Sequence, residues 1–240
     1  EIASCLVGSE MCIRDSYTKV NEQLGLSFSG NYHHNDGFFT NLHTHKKADK
    51  LDNGAGRIGL TWKPAAHWTT RFITSYEYSN QGGYPYGLYN ADKGTTEAVN
   101  YNNEGLYRRN LLTSGINIRY NGPHISFNSQ TSYQYIQDKM GIDQDFSPRN
   151  IFYGQNKIRQ HMYCQEFTVK SVNKSRYHWI TGAFVFRQTI NRKVDLSRFT
   201  DTTRHLTNSG IPTQGIAFYH QSTLCLLYTS DAADDMQCVD

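Results

Sequence analysis

The sequence predicts an all-β fold, an antiparallel up-and-down meander of about eight long strands of the kind that forms a transmembrane β-barrel. Three observations predict it. Apolar and polar side chains alternate with period two through most of the chain, as they do in strands with one apolar face. Short turns and long loops alternate strictly between those strands. Several strands are 10 to 13 residues long, whereas strands of soluble proteins average about 5–6 residues.

The two ends of the chain differ from the middle in composition. Four of the five cysteines fall within residues 1–16 and 225–240, and only Cys164 lies between these ends. The net charge is +3, of which the ends carry −2 and −4, so the middle carries +9. The strings EMCIRDS and CLLYTS near the two ends can be encoded by one DNA element read on its two strands. That element resembles the inverted adapter end of transposase-based sequencing libraries. We therefore expect residues 1–16 and 225–240 to be adapter-derived tails with no fold, and residues 17–224 to be an internal piece of a longer protein.

The first predicted strands alternate clearly. Within residues 20–32, 55–64 and 68–79, the polar face carries Gln, Ser, Asn, Thr, Arg and Glu. The opposite face carries apolar and aromatic side chains: Leu24, Leu26, Phe28 and Tyr32; Ile58, Leu60 and Trp62; and Phe72, Tyr76 and Tyr78. Each segment therefore predicts a strand with one face suited to water and one suited to an apolar medium.

The same alternation continues along the second half of the chain. Residues 111–120, 124–137 and 165–171 repeat the pattern, with these side chains on the apolar face: Leu112, Ile116, Ile118 and Tyr120; Ile125, Phe127, Tyr133 and Tyr135; and Phe167 and Val169. Residues 179–188 are apolar on both faces, and residues 213–224 end the series. These segments complete the eight predicted strands.

The links between the strands predict how the strands are connected. Three links are short and rich in Gly, Pro, Asn and Ser, the usual turn residues: 63–67, 121–123 and 173–176. Four links are long: about 33–54, 81–109, 138–158 and 191–212. Because short and long links alternate, we expect an antiparallel meander with the three turns on one rim and the long loops on the other.

Strand length and side-chain placement favour a membrane over water. A tilted strand needs about 9–11 residues to cross a bilayer. Tyr and Trp at the ends of the apolar faces suit the boundary between lipid and water. The mean hydropathy of −0.65 is compatible with such a barrel because only alternate residues face lipid, and no apolar run approaches the length of a transmembrane helix. The alternative is a soluble or surface β-sandwich that binds glycans, whose strands would be shorter.

Three segments add a resemblance to a known family. Residues 36–64, 141–171 and 179–188 resemble, in that order, the barrel domain of TonB-dependent outer-membrane receptors, and the resemblance extends over nearly all of residues 17–224. It implies a barrel of twenty-two strands around a plug, in the outer membrane of a Gram-negative bacterium. Such receptors import iron-siderophore complexes, vitamin B12, haem or glycans with energy from the inner membrane. The resemblance favours an iron-siderophore complex or a similarly large ligand.

The same resemblance implies the partners. They are outer-membrane lipid, the imported ligand, and TonB, which would be contacted through the plug domain. The chain contains no plug, no TonB-contacting segment and no closing strand with a terminal aromatic residue. Eight strands cannot close a barrel of twenty-two, so the resemblance implies an open segment of a transmembrane β-barrel.

Two groups of loop residues are candidate ligand contacts. Tyrosines crowd the longest loop and suit a ligand with aromatic or sugar faces, although packing within the loop would explain them equally: Tyr84, Tyr86, Tyr89 and Tyr101. Histidines cluster around the first long loop, where two or three could bind a transition metal or simply be solvated: His33, His34, His43 and His45. We retain the four tyrosines with His43 and His45 as ligand-binding candidates and predict no resident metal or cofactor.

Charge and chemistry exclude other classes of function. Basic residues near the loops could attract an anionic siderophore complex or lipopolysaccharide phosphates: Lys46, Lys47, Lys50, Arg108 and Arg109. No basic helix, zinc-finger spacing or RNA-binding aromatic motif accompanies the positive charge, so no nucleic-acid partner is predicted. His161 and Cys164 would lie on opposite faces of a strand and could not act as a catalytic pair. We therefore predict a protein that is not an enzyme.

Overall fold

The computed structural model describes residues 9–172 and 176–224. Within them, nine strands form one large antiparallel sheet in which each strand pairs with the next of the nine along the chain, and two short strands form a separate hairpin. The strands are β1 (Ser9–Lys19), β2 (Leu24–Asn35), β3 (Leu51–Trp62), β4 (Trp68–Gln81), β5 (Tyr89–Asn90), β6 (Thr95–Thr96), β7 (Leu106–Asn121), β8 (Ile125–Asp143), β9 (Phe152–Ser171), β10 (Tyr177–Arg198) and β11 (Thr203–Leu224). The described residues contain no helix long and apolar enough to cross a bilayer.

The predicted meander and its two rims are confirmed. Strand order in the large sheet is β1-β2-β3-β4-β7-β8-β9-β10-β11, so alternate connections fall at opposite ends. One end, the short-turn rim, carries the turns at 63–67 and 122–124. Val172 begins the third short turn, and its N–H donates to the carbonyl of His124 over 2.8 Å, which places that turn beside the second. Residues 173–175 of the third turn lie outside the described residues.

At the other end, the loop rim, some of the connections are shorter than predicted. The connections there are 36–50, 82–105, 144–151 and 199–202. The expected long loop at 191–212 is wrong, because β10 and β11 pair continuously from Tyr177↔Leu224 to Arg198↔Thr203. Backbone hydrogen bonds continue where water meets both faces of the hairpin, but the apolar–polar alternation that signals a strand is lost there. The expected loop at 138–158 shrinks for the same reason.

The N-terminal end of the sheet also differs from the prediction. We expected residues 1–16 to have no fold, yet residues 9–16 lie in β1, which pairs with β2 from Ser9↔Asn35 to Lys19↔Gly25. An edge strand needs only backbone groups that match the open edge beside it, so almost any side chains are accommodated. The adapter origin of these residues remains a prediction, and residues 1–8 and 225–240 lie outside the described part of the chain.

The register brings the predicted apolar faces together on one side of the sheet, which we call the outward face. Leu26, Leu60, Phe72 and Ile116 lie in one row across four strands. Tyr120, Phe127 and Val169 form another row. The opposite, inward face is polar, and on it the Asn117 amide donates to Asn128 Oδ1 over 2.8 Å and to Gln130 Oε1 over 3.0 Å.

No second layer covers the outward face in the part of the chain that the structure describes. Ile116, Ile216 and Phe218 are 41%, 67% and 76% exposed. The buried apolar residues among the described ones are Ala48, Val99 and Tyr101, all in loops. A β-sandwich buries its core between two sheets, so this single-layered sheet does not fit the soluble sandwich alternative.

Candidate functional site

The loops 36–50 and 82–105 dock onto each other above the sheet. Asn41, which is 1% exposed, donates its amide to the carbonyl of Tyr101 over 2.8 Å and accepts from the Tyr101 N–H over 3.3 Å. The Leu42 N–H donates to the carbonyl of Val99 over 2.9 Å. These reciprocal bonds let one asparagine act as a strand-like partner for the neighbouring loop, so the two loops form one unit.

A close backbone approach completes this docking. The Gly82 N–H donates to the carbonyl of Lys50 over 2.9 Å. A Cβ on Gly82 would overlap the carbonyl oxygen of Ala48, and the next residue, Gly83, has φ +97°. Glycine is needed at both positions, because the first requires space and the second a left-handed backbone.

The loop 144–151 joins the same unit from the other side. The Asn103 N–H donates to Asp143 Oδ2 over 3.2 Å, and the Asn103 amide donates to Asn150 Oδ1 over 3.1 Å. Asp145 organises the loop itself, since it accepts from the N–H groups of Ser147 and Phe152. Loop 82–105 is therefore held on both flanks.

Aromatic side chains gather where the loops meet. The ring centroids of Tyr84 and Tyr86 lie 5.9 Å apart, and those of Tyr86 and Phe146 lie 5.0 Å apart. A cleft of about 20 Å³ between them is also lined by Tyr107 and Met140, which belong to the inward face of β7 and β8. This aromatic cluster, Tyr84, Tyr86 and Phe146, therefore lies over the polar inward face of the sheet.

A larger cavity of about 200 Å³ lies between the two docked loops and the ends of β4 and β7. The hydroxyls of Thr44 and Tyr101 are buried at its wall without a hydrogen-bond partner among the described residues. Burial raises the pKa of the Tyr101 hydroxyl, and the carboxylates of Asp143 and Glu104 add to the effect. The hydroxyl therefore stays a neutral donor, and the cavity can hold a small polar group or waters.

The structure separates the predicted site residues into accessible and buried ones. Tyr84 and Tyr89 are 64% and 69% exposed, and Tyr86 is also exposed. Tyr101 is 3% exposed, so packing between loops accounts for it. His43 and His45 are exposed on loop 36–50. Of the six candidates, Tyr84 and Tyr86 are the two that the fold places side by side.

The predicted histidine cluster does not assemble. His34 contacts Asp52 through Nδ1 over 2.7 Å and Asp36 through Nε2 over 3.0 Å. His33 points to the inward face and His34 to the outward face, because successive side chains of β2 alternate. The described residues contain no group of three or more His, Cys, Asp and Glu side chains arranged to hold a metal ion.

The predicted basic group is also divided by the fold. Lys46 forms an ion pair with Glu104 at 3.0 Å, and Lys47 donates to the carbonyl of Phe38 over 3.1 Å. Arg109 lies on the inward face, 3.5 Å from Asp138. Arg108 lies on the outward face and donates to Asn80 Oδ1 over 3.0 Å. Arg108 and Arg109, which are neighbours in sequence, therefore lie on opposite faces of the sheet.

His161 and Cys164 lie on opposite faces of β9, as predicted. His161 lies opposite Tyr135, with ring centroids 4.9 Å apart, on the outward face. Cys164 lies opposite Ser132 and Phe186 on the inward face. The geometry therefore does not allow the thiol and the imidazole to act together.

Two residues that matter here were not singled out in the sequence. Asn41 joins residues 60 positions apart, and Phe146, which has φ +50°, completes the aromatic cluster. Loop contacts of this separation follow no periodic pattern, so the sequence carried no signal for either residue.

Replacing Asn41 by Ala should separate loops 36–50 and 82–105. The change removes both bonds to Tyr101 and leaves buried backbone groups unpaired, at a cost of about 1–3 kcal/mol. Hydrogen exchange measured by mass spectrometry should show faster exchange in residues 97–103, with β8 and β9 unchanged. His43→Ala is the control, because its side chain is exposed on the same loop. Equal exchange in both variants would show that Asn41 does not hold the loops.

Comparison with known proteins gives matches in structure alone. Neither a protein-family model nor a curated protein sequence matches this chain. The fold resembles the ferric yersiniabactin uptake receptor FyuA from Yersinia pestis, with a TM-score of 0.68 and 13% identity over 89% of this chain. It also resembles the siderophore receptor PiuA from Acinetobacter baumannii, with a TM-score of 0.66 and 6% identity over 89% of this chain. The chain spans 41% and 38% of the lengths of these two receptors. The sheet therefore has the fold of a segment of these siderophore receptors.

Proposed function

We propose that the chain forms part of the barrel wall of a TonB-dependent receptor in the outer membrane of a Gram-negative bacterium. In this proposal the receptor takes up an iron-siderophore complex or a similarly large ligand and catalyses no reaction. One observation carries the proposal: an uncovered apolar face, bordered by aromatic side chains, on a meander of strands long enough to cross a bilayer. The fold shared with two siderophore receptors supports the same conclusion.

The distance between the two aromatic borders is close to the thickness of the apolar core of a membrane. All three tryptophans, Trp62, Trp68 and Trp179, lie on the outward face near the short-turn rim. Tyr76 and Tyr78 lie on the same face towards the loop rim. At about 3.3 Å per residue and a tilt of about 45°, the ten residues from Trp68 to Tyr78 rise roughly 23 Å. The apolar band of outer-membrane barrels is about 25 Å tall.

The ligand would be met by the loop rim and the inward face. Tyr84, Tyr86 and Tyr89 are exposed there, and aromatic rings bind ligands at low entropic cost because they have few rotatable bonds. Below them, the inward face offers many hydrogen-bonding groups, as a water-filled lumen requires. A plug domain and its contact with TonB belong to the proposal as parts of the whole receptor.

Tryptophan fluorescence tests the membrane orientation directly. In vesicles, all three tryptophans should emit at shorter wavelength than in urea, since their rings enter the membrane boundary. Lipids brominated near the headgroup should quench this emission more strongly than lipids brominated near the chain ends, because the rings lie at the edge of the apolar band. The experiment uses the complete receptor that contains this chain, refolded into phosphatidylcholine vesicles, because an open sheet would leave the backbone groups of its edge strands unpaired in lipid.

Single tryptophan variants assign the signal to each position. Trp62→Phe, Trp68→Phe and Trp179→Phe should each reduce the quenched emission by a similar amount, as expected if the three rings have similar depth. Acrylamide, a quencher that stays in water, gives a second measurement. If acrylamide quenches the tryptophans in vesicles as strongly as it does in urea, the rings lie in water. That result would contradict the membrane proposal.

A further inference from the structure

Four cationic side chains form a row on the outward face, nearer the loop rim than the apolar rows. The register aligns Arg108 with Lys139, Lys139 with Lys157, and Lys157 with Lys193. Directly paired residues of an antiparallel sheet point to the same side, and Arg108 is an even number of residues from the outward-facing Tyr120. We call these four residues the cation row.

The row is electrostatically unfavourable by itself. Directly opposite side chains have Cβ atoms about 4.5–5.5 Å apart, and like charges in such positions destabilise a sheet. In the described part of the chain, no carboxylate forms an ion pair with any of the four. Asp195, two residues beyond Lys193 on the same face, attracts Lys193 and Lys157, but Arg204 binds both of its oxygens. An external anion would therefore relieve the repulsion.

The height of the row above the lower aromatic border identifies the environment of these charges. Arg108 is 12 residues from Tyr120, and Lys193 is 14 residues from Trp179. At about 3.3 Å per residue and a tilt of about 45°, these separations rise roughly 28 Å and 33 Å. Both values exceed the apolar band of about 25 Å, so the row reaches the headgroup layer.

Exposure and neighbouring residues agree with this position. Arg108, Lys157 and Lys193 are exposed, and Lys139 is half-buried. Arg159, two residues from Lys157 on the same face, is a fifth cation and is also exposed. The inward face has charges too, but there they are scattered along the strands instead of aligned in one row.

We propose that the cation row binds the phosphate groups of lipopolysaccharide in the outer leaflet. This inference rests on the proposed membrane orientation, which places the outward face in lipid. Cations spaced about 5 Å apart match a headgroup that carries more than one phosphate, since neighbouring charges can share its oxygens. Lysine and arginine near an anionic membrane surface each contribute to such binding.

The test replaces the row without changing the fold. The variant carries Arg108→Gln, Lys139→Gln, Lys157→Gln and Lys193→Gln. The control removes the same number of charges from the inward face: Arg57→Gln, Arg71→Gln, Arg119→Gln and Lys170→Gln. Complete receptors that carry these variants are reconstituted into phosphatidylcholine vesicles with fluorescent lipopolysaccharide, and association is measured by energy transfer from the tryptophans. The row variant should bind roughly 1000-fold more weakly, and the control should bind like the original protein.

Further measurements distinguish lipid phosphate from free phosphate, and they distinguish failure of this inference from failure of the proposed function. Lipopolysaccharide treated with phosphatase should bind weakly to all chains, and soluble pyrophosphate should compete poorly. Equal loss in the row variant and the control, or full competition by pyrophosphate, would overturn the inference. Tryptophan quenching in the same vesicles reports insertion independently. A complete receptor that inserts but binds lipopolysaccharide no better than the row variant contradicts this inference alone, whereas a complete receptor that does not insert contradicts both proposals.

Discussion

The variant Ile116→Arg should make the protein markedly less stable in a bilayer. Ile116 lies on the outward face, is 41% exposed, and has Phe72 directly opposite it on β4. It lies four residues above Tyr120, well inside the apolar band. An arginine on the lipid face near the bilayer midplane costs about 2–4 kcal/mol. Because the net stability of a fold is only about 5–15 kcal/mol, urea titration in vesicles should show a clearly lower midpoint.

The adjacent variant Asn117→Arg is the matched control. Asn117 has its side chain on the inward face, where it bonds to Asn128 and Gln130. It has the same depth as Ile116 but faces the proposed lumen, where water solvates a charge. We expect a loss of no more than about 1 kcal/mol, from the lost amide bonds. A similar loss in both variants would mean that the two faces do not have different solvents.

Replacing Tyr84, Tyr86 and Tyr89 together by Ala should weaken ligand binding by at least about thirtyfold. A central aromatic contact removed from an interface typically costs about 2 kcal/mol or more, and about 1.4 kcal/mol corresponds to a factor of ten. Two of the three rings belong to the aromatic cluster over the inward face. Binding is measured with iron-55-labelled siderophores on cells that express the complete gene and lack other siderophore receptors.

The control variant carries Phe38→Ala and Phe199→Ala. Both phenylalanines are exposed aromatic residues at the loop rim, but neither contributes to the aromatic cluster. We expect their loss to change affinity by less than about threefold, since contacts around a binding centre contribute little. Unchanged affinity in the tyrosine variant would remove loop 82–105 from the binding site and leave the membrane orientation untouched.

The basic residues show how far sequence reasoning extends into the site. The sequence indicates that Arg108 and Arg109 are cations near a loop, and period two indicates that they point to opposite faces. The sequence does not show which cations on other strands lie beside Arg108. Lys139, Lys157 and Lys193 are 31 to 85 residues away, and only the register aligns them. Register depends on hydrogen bonds along four strands and on the lengths of three connections.

The connections were predictable in number and order but not in length or structure. Short turns can be recognised in the sequence by Gly, Pro, Asn and Ser, because those residues have local conformational preferences. The hairpin of β10 and β11 continues to Arg198↔Thr203, beyond the point where its sequence alternates. There both faces meet water, so the backbone pairs without a hydrophobic pattern. The docking of Asn41 with Tyr101 depends on two loops being adjacent in space, which no local pattern encodes.

The sequence by itself determined the strand faces, the order of the connections, and hence the antiparallel meander. These properties are local: alternation requires only a strand with different surroundings on its two sides, and a turn requires only a few residues. The tertiary structure alone decided the extent of the strands, the pairing of β1 with β2, the burial of Tyr101 and the alignment of the cation row. Each of these depends on atoms far apart in sequence, whose meeting is set by the backbone hydrogen bonds between strands and the packing of one loop on another.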